Sequence, residues 1–140
     1  MTEAQRKQFF AYARMRDSFV EKAKDNPSEI NQHMLTLRPW DPAVYVVGDV
    51  RMYAGIPYKC VQVHDSGQNP TWTPDTTPAL WMQYHGTTVD TARPWIAPAG
   101  AHDTYRAGEF MIWTDGAVYR CKQDTVYSPH DYAQAWERVD

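Results

Sequence analysis

The chain has 140 residues and a mass of 16.2 kDa, a length that allows one average domain or two very small ones. A net charge of −3, a pI near 5.9 and the absence of any Lys/Arg run argue against nucleic acid and membrane surfaces as partners. No stretch approaches the roughly 20 apolar residues of a spanning helix, and residues 1–25 are too charged for a secretory signal, so we expect a soluble protein without a Sec-type signal.

Two helices are predicted at the start of the chain. Residues 2–25 have apolar side chains at intervals of three and four, namely Phe9, Tyr12, Ala13, Phe19, Val20 and Ala23. Asn26 as N-cap, Pro27 at the first helical position and Glu29 at the third predict a restart. The buried side of this second, short helix, which ends before Pro39, is predicted to be formed by Ile30, Met34 and Leu37.

Residues 1–37 are therefore taken as one helical segment, for which two roles are open. The segment can form a helical hairpin that covers one face of the following β unit, or it can make the chain a homo-oligomer or dock it to a larger assembly. The apolar stripe spans barely two heptads, which is too short for a stable isolated coiled coil. Trimers supported by β domains can nevertheless use segments this short.

A sequence repeat fills the rest of the chain. The order of aromatic residues, glycines and one cysteine from Arg38 to Trp81 nearly recurs from Arg93 to Trp136, which indicates two copies of a small β unit. Trp40 and Trp95 are 55 positions apart, as are Trp81 and Trp136. We predict a first unit at residues 38–85 and a second, divergent unit at residues 93–140.

Each unit is predicted to contain a short β-hairpin. Alternating residues flank Ala54-Gly55 in the first unit and Asp115-Gly116 in the second, and such turns accept positive φ angles. The fold class is thus α+β, with an N-terminal helical segment followed by two hairpin-based units. Cys60 and Cys121 take the same place in the two copies, and we expect both to be free and buried.

Four of the tryptophans are predicted to be core residues because they bracket the units: Trp40, Trp81, Trp95 and Trp136. Trp72 differs, since its neighbours from Gln68 to Pro74 show no period and no apolar residue. An exposed, proline-flanked tryptophan suits the apolar C–H face of a pyranose ring. The alternative is a ring that folds back onto its own unit.

The first unit contains a series of motif residues in a fixed order: Trp40, Tyr45, Gly48-Asp49, Tyr53, Gly55, Tyr58, Cys60, His64-Asp65-Ser66, Trp72-Thr73-Pro74 and Pro78-Ala79-Leu80-Trp81. This series resembles the chitin-binding type carbohydrate-binding modules of families 5 and 12. The second unit is a weaker version that lacks the His-Thr-Ser loop and has Tyr127 in place of the binding tryptophan.

The resemblance implies a sugar-binding site in each unit. In the first unit it makes Trp72 the sugar platform, Pro74 a stiffener of its loop and His64 a hydrogen-bond partner. Asp65 stands where the family has Thr, which leaves the identity of the sugar open. In the second unit the corresponding platform is Tyr127.

The layout of helical segment plus two modules is similar to tail-associated proteins of bacteriophages and prophages of Gram-positive bacteria. This resemblance implies a virion protein at the host cell surface, with a polysaccharide or cell-wall glycan and other phage tail proteins as partners. An extracellular location is the alternative. We also expect a homo-oligomer through residues 1–37.

Enzymatic chemistry is not predicted. The carboxylates are scattered over loops of units too small to hold a glycosidase cleft, the five histidines show no metal-ligand spacing, and no nucleophile elbow or phosphate loop is present. We expect no catalytic residue, no metal and no cofactor. Two other functions stay open: a tail assembly protein whose modules contact proteins, and the binding portion of a secreted glycoside hydrolase.

Overall fold

The computed structural model describes residues 20–99 and 101–139. Most of the helix predicted at residues 2–25 lies outside the described residues. Within them, residues 20–23 are helical, followed by a turn at residues 24 and 25. None of the helices in the described ranges has the length and apolar character needed to cross a membrane.

The second helix begins where the sequence predicts but is shorter, and of its expected buried side only Ile30 lies in it, since Met34 is half-buried in the turn that follows and Leu37 is extended. Helix α1 spans Pro27–Gln32, with Pro27 at its first position, and the side chain of Asn26 accepts a hydrogen bond from the backbone N–H of Glu29 at 3.3 Å. Such a cap is worth about 1 kcal/mol. A 3₁₀ turn at Met34–Thr36 follows, and the chain becomes extended at Leu37.

The first unit contains five short strands in two antiparallel sheets. The strands are β1 Val44–Tyr45, β2 Val50–Tyr53, β3 Ile56–Cys60, β4 His64–Asp65 and β5 Trp81–Gln83. One sheet pairs β1 with β4, and the other has the strand order β2-β3-β5. The predicted hairpin is β2–β3, whose turn has φ of 51° at Ala54 and 80° at Gly55. Two consecutive positive φ angles match the tight turn that the strand twist favours.

The second unit has a four-stranded sheet in the order β6-β7-β8-β9, in which β6 and β7 are parallel and the other pairs antiparallel. The strands are β6 Arg93–Pro94, β7 Phe110–Ile112, β8 Val118–Cys121 and β9 Trp136–Val139. The predicted hairpin is β7–β8. The 3₁₀ turns Ala101–Asp103 and Ala133–Ala135 precede β7 and β9.

Several backbone hydrogen bonds of the first unit recur at matching positions of the second. Gly48 N donates to Cys60 O at 2.9 Å, and Gly108 N donates to Cys121 O at 2.8 Å. Trp40 N donates to Met52 O at 2.8 Å, as Trp95 N does to Ile112 O at 2.9 Å. The cysteines also pair with the closing tryptophans, Cys60 with Trp81 and Cys121 with Trp136.

Three apolar clusters form the core. One joins the N-terminal segment to the first unit through Ala23, Ile30, Leu37, Val50 and Tyr84. The second unit is organised around Tyr105, Met111, Cys121, Ala135 and Trp136. The first unit has its own cluster of Tyr45, Tyr58, Cys60 and Trp81. The described part of the N-terminal segment thus packs against the first unit.

Candidate functional site

The loop after β4 holds Trp72 at the surface. Asp65 Oδ1 accepts hydrogen bonds from the backbone N–H of Gly67 at 2.9 Å and of Gln68 at 3.3 Å, which is the local turn that a short carboxylate favours. Trp72 N then donates to Asn69 O at 3.0 Å. The Trp72 residue remains 39% exposed. Asp65 therefore builds the loop instead of extending toward a ligand.

The chain after Trp72 is also restrained. Pro74 is buried, so it anchors the loop and does not offer a surface to a ligand. Thr73 Oγ1 donates to Asp75 Oδ1 at 2.5 Å, and Thr77 Oγ1 donates to Thr73 O at 2.7 Å. Because side chains fix the backbone on both sides of Trp72, its ring belongs to an ordered loop.

His64 does not occupy the exposed position expected of a sugar-binding residue. The residue is only 8% exposed, and its ring lies 5.7 Å from that of Tyr45 and 5.6 Å from that of Trp81. Its Nδ1 donates to Gln62 O at 2.7 Å. A histidine at this place packs on the core of the first unit and lies on the strand from which the Trp72 loop departs.

Tyr127 is exposed by 58%, as a second platform requires. Its backbone is held at both ends: its N–H donates to Thr125 Oγ1 at 3.0 Å, and its carbonyl accepts from Trp136 Nε1 at 2.9 Å. The ring of Tyr132 stands 6.4 Å away at 81°. No motif position marks Tyr132, whose ring reaches Tyr127 through the fold of the loop between them.

The tryptophans predicted to be core residues divide into two pairs. Trp81 and Trp136 are 1% and 4% exposed, which confirms that prediction for them. Trp40 and Trp95 are only half-buried and pack at the margins of their clusters. The closing tryptophans are therefore the more deeply buried pair.

Burial raises the pKa of several thiol and phenol groups in the two units, and hydrogen bonds lower the pKa of one carboxyl group. Both cysteines are free and buried, as expected, and burial raises the pKa of the Cys121 thiol from 9.0 to about 11. Burial likewise raises the pKa of Tyr58 and of Tyr105 from 10.0 to about 12. The Asp124 carboxyl has its pKa lowered by hydrogen bonds from the Ala107 backbone and the Arg106 side chain.

The aromatic platforms lie outside two depressions of the described surface. Two depressions of about 310 and 390 Å³ share Lys24 and Gly48 in their walls, and neither is lined by Trp72 or Tyr127. Within residues 20–99 and 101–139, no three His, Cys, Asp or Glu side chains come close enough to hold a metal ion. The arrangement around Trp72 offers a flat apolar face, which suits stacking against a sugar ring.

The chain is similar to a known protein family over part of its length. No curated protein matches it. Residues 39–82 match the family model described as carbohydrate-binding module family 5/12. The match covers 44 of the 140 residues and includes Trp72 and its loop. Residues 39–82 of this protein are therefore similar to the carbohydrate-binding modules of family 5/12.

Proposed function

We propose that this protein binds a polysaccharide or cell-wall glycan without chemically changing it, through the exposed ring of Trp72. The observation that carries the proposal is the half-exposed indole on a restrained loop inside the segment that matches the module family. An apolar ring costs free energy in water unless a ligand covers it. The axial C–H groups of a pyranose provide such a cover.

The exposed area sets the strength of this contact. A tryptophan that is 39% exposed leaves about 100 Å² open if its full surface is about 250 Å². Covering that area is worth about 2.5 kcal/mol at about 25 cal/mol per Å², or about 70-fold in Kd. One platform with a few hydrogen bonds then supports a Kd between about 10 µM and 1 mM.

The second unit is proposed to be a divergent module with Tyr127 as its platform. The recurring hydrogen bonds support this, for example those from Gly48 to Cys60 and from Gly108 to Cys121. So does the exposure of Tyr127, which stands nine residues before its closing tryptophan, as Trp72 does. Two weak sites on one chain bind a polymer more tightly than either alone.

A phage or prophage tail is the proposed setting, with the protein in the virion at the host surface and other tail proteins as partners. The support is the sequence layout alone. Because Ala23, Ile30 and Leu37 pack against the first unit, we assign oligomerisation or tail docking to residues 1–19. The apolar residues predicted there are Phe9, Tyr12 and Phe19.

A non-catalytic role is proposed because both platforms lie outside the two depressions described above and a flat aromatic face binds a sugar ring by stacking alone. Binding by a flat aromatic face needs neither metal nor cofactor. The binding portion of a secreted glycoside hydrolase remains the alternative within the same chemistry.

Exposed valines favour a second candidate function, in which the first unit contacts another protein of the tail. The register that pairs Tyr45 with His64 brings Val46 opposite Val63, and both are more than half exposed. The second unit has an ion pair at the matching position, with Arg106 Nη1 3.0 Å from Asp124 Oδ2. An exposed apolar pair where the repeat has charges suits a protein contact.

Glycan binding is tested by retention on insoluble chitin, on peptidoglycan and on purified wall glycan from Gram-positive bacteria. We expect Trp72→Ala to weaken retention by about 10-fold to 70-fold, the upper value being the area-based one. Trp72→Phe should lose less because it keeps a flat ring. The melting temperature should stay within a few degrees, since the ring is not part of a core cluster.

Leu35→Ala is the matched control, because Leu35 is fully exposed and removing it also deletes surface apolar area. Equal retention of wild type and Trp72→Ala on every glycan would overturn the proposal. If Val46→Asp then abolished binding to a tail protein, the second candidate would replace it.

A further inference from the structure

The segment between the two units is not a flexible linker. Residues 84–92 connect β5 to β6, and Tyr84, His85 and Gly86 within it are buried. A freely moving tether is rich in exposed Gly and Ser. Three groups of contacts, at His85, at Gly86 and at Arg93, tie this segment to both units; we call these contacts the joint.

The His85 side chain is the first part of the joint. Its ring stacks on that of Tyr105 in the second unit, with centroids 3.7 Å apart and planes at 8°. Its Nδ1 donates to Glu109 Oε1 at 2.9 Å, and the two side chains are 5% and 12% exposed. Glu109 Oε1 also accepts from the Arg106 N–H at 2.6 Å. The last residue of the first unit is thus bound within the second unit.

The Gly86 backbone is the second part. Phe110 N, at the start of β7, donates to Gly86 O at 2.8 Å. A Cβ built on Gly86 would lie 2.3 Å from the carbonyl oxygen of Thr91, which is far inside van der Waals contact. Only glycine therefore fits where the connecting chain folds back on itself and pairs with the second unit.

The Arg93 side chain is the third part and runs in the opposite direction. From β6 of the second unit, its Nη1 donates to Asn31 Oδ1 in α1 at 2.9 Å, and its Nη2 donates to the Tyr84 carbonyl. Asn31 Nδ2 in turn donates to His85 O at 2.8 Å. Hydrogen bonds from the half-buried Arg93 guanidinium and the buried Asn31 amide thus link α1, the end of the first unit and β6.

We propose that this joint holds the two units as one rigid body and so sets the spacing of the Trp72 and Tyr127 faces, which makes His85, Arg93 and Glu109 positioning residues for polymer binding. The inference about binding rests on the proposed function. The second site adds affinity only if its distance from the first site matches the spacing of sugars along the polymer. A loose connection between the units lowers the effective concentration of the second site. A fixed joint therefore favours polymers of one repeat geometry.

The joint is tested with Glu109→Ala and His85→Ala, each of which removes one side of the buried contact. Glu109→Gln is the conservative variant, because an amide oxygen can still accept from His85 and from the Arg106 backbone. Glu137→Ala is the matched control: it also deletes a carboxylate of the second unit, but one that pairs with exposed Arg120. His85→Ala keeps the experiment interpretable if loss of Glu109 unfolds the second unit.

The first readout is backbone ¹⁵N relaxation, which reports tumbling of each unit without any glycan. We expect one correlation time for residues 38–85 and 93–139 in the wild type, Glu109→Gln and Glu137→Ala, and two in Glu109→Ala and His85→Ala. Independent tumbling of the units in the wild type would show that the joint does not hold them as one rigid body, whether or not the protein binds a glycan.

The second readout compares insoluble chitin and peptidoglycan with their soluble trisaccharide and muropeptide fragments. We expect the two loosened variants to bind the polymer about tenfold more weakly and the fragments within about twofold of wild type. Unchanged polymer binding in variants whose units tumble separately would overturn the positioning role. A wild type that tumbles as one body and binds neither polymer would instead refute the proposed function and, with it, the positioning role.

Discussion

Replacing the two closing tryptophans by phenylalanine should have unequal effects on stability. Trp81 and Trp136 are both nearly inaccessible, and each lies edge-on to a buried tyrosine, with centroids 5.0 Å from Tyr45 and 5.3 Å from Tyr105 respectively. They differ at the indole nitrogen. Trp136 Nε1 donates to Tyr127 O at 2.9 Å, whereas Trp81 Nε1 is buried and makes no hydrogen bond within the described residues.

The expected difference in the free energy of unfolding between the two variants comes from the hydrogen bonding of the indole nitrogen. Phenylalanine removes a similar volume at both positions, so the packing loss should be alike. Trp136→Phe also loses a hydrogen bond worth about 1 kcal/mol. Trp81→Phe instead removes a buried unpaired donor, which returns about 1–3 kcal/mol. We therefore expect Trp136→Phe to lower the free energy of unfolding by about 2–4 kcal/mol more than Trp81→Phe does.

Urea unfolding followed by circular dichroism measures this difference, with the slope m checked to be the same in both variants. Equal losses, or a larger loss for Trp81→Phe, would refute the reasoning. Either result would mean that Trp81 Nε1 has an acceptor in solution and that the two units close their cores in the same way.

Three further outcomes are expected. Burial raises the pKa of Tyr58 and of Tyr105 from 10.0 to about 12, so the folded state holds these protons more tightly than the unfolded state. Their contribution to stability should be complete below pH 10 and lost between pH 10 and about 12; an unchanged urea midpoint from pH 9 to 11 would contradict this. Burial also raises the pKa of Cys60 and Cys121, so both thiols should react with a disulfide reagent at pH 8 only after denaturation, and fast reaction in the native state would show that they are accessible. Light scattering of the full chain against a chain beginning at Val20 should show loss of the oligomer, whereas monomers in both cases would remove oligomerisation from residues 1–19. Val20 is the right starting point because beginning at Leu37 would uncover the first unit's core.

The sequence was sufficient for the elements that local chemistry specifies. Asn26 and Pro27 predicted the start of α1, because a cap and a proline act within one turn. The turn at Ala54-Gly55 predicted the β2–β3 hairpin, because positive φ angles are a local requirement. The repeat identified Trp81 and Trp136 as core, since a small unit needs a large buried side chain at its closing strand.

The sequence was insufficient where a residue's environment comes from distant parts of the chain. His64 matches a motif position associated with sugar contact, but packing against Tyr45 and Trp81 buries it. His85 and Glu109 are 24 residues apart; Glu109 takes the place of Asp49 in the repeat, but His85 belongs to no motif. Their contact depends on how the second unit folds against the end of the first, which neither periodicity nor spacing encodes.

The most direct test of glycan binding by Trp72 is a titration followed through the indole N–H signals of the six tryptophans. The account predicts that soluble fragments of the bound glycan shift the Trp72 signal in a saturable way, while the Trp81 and Trp136 signals of the buried core stay in place. A glycan that binds without moving the Trp72 signal, or that moves the two core signals most, would contradict it.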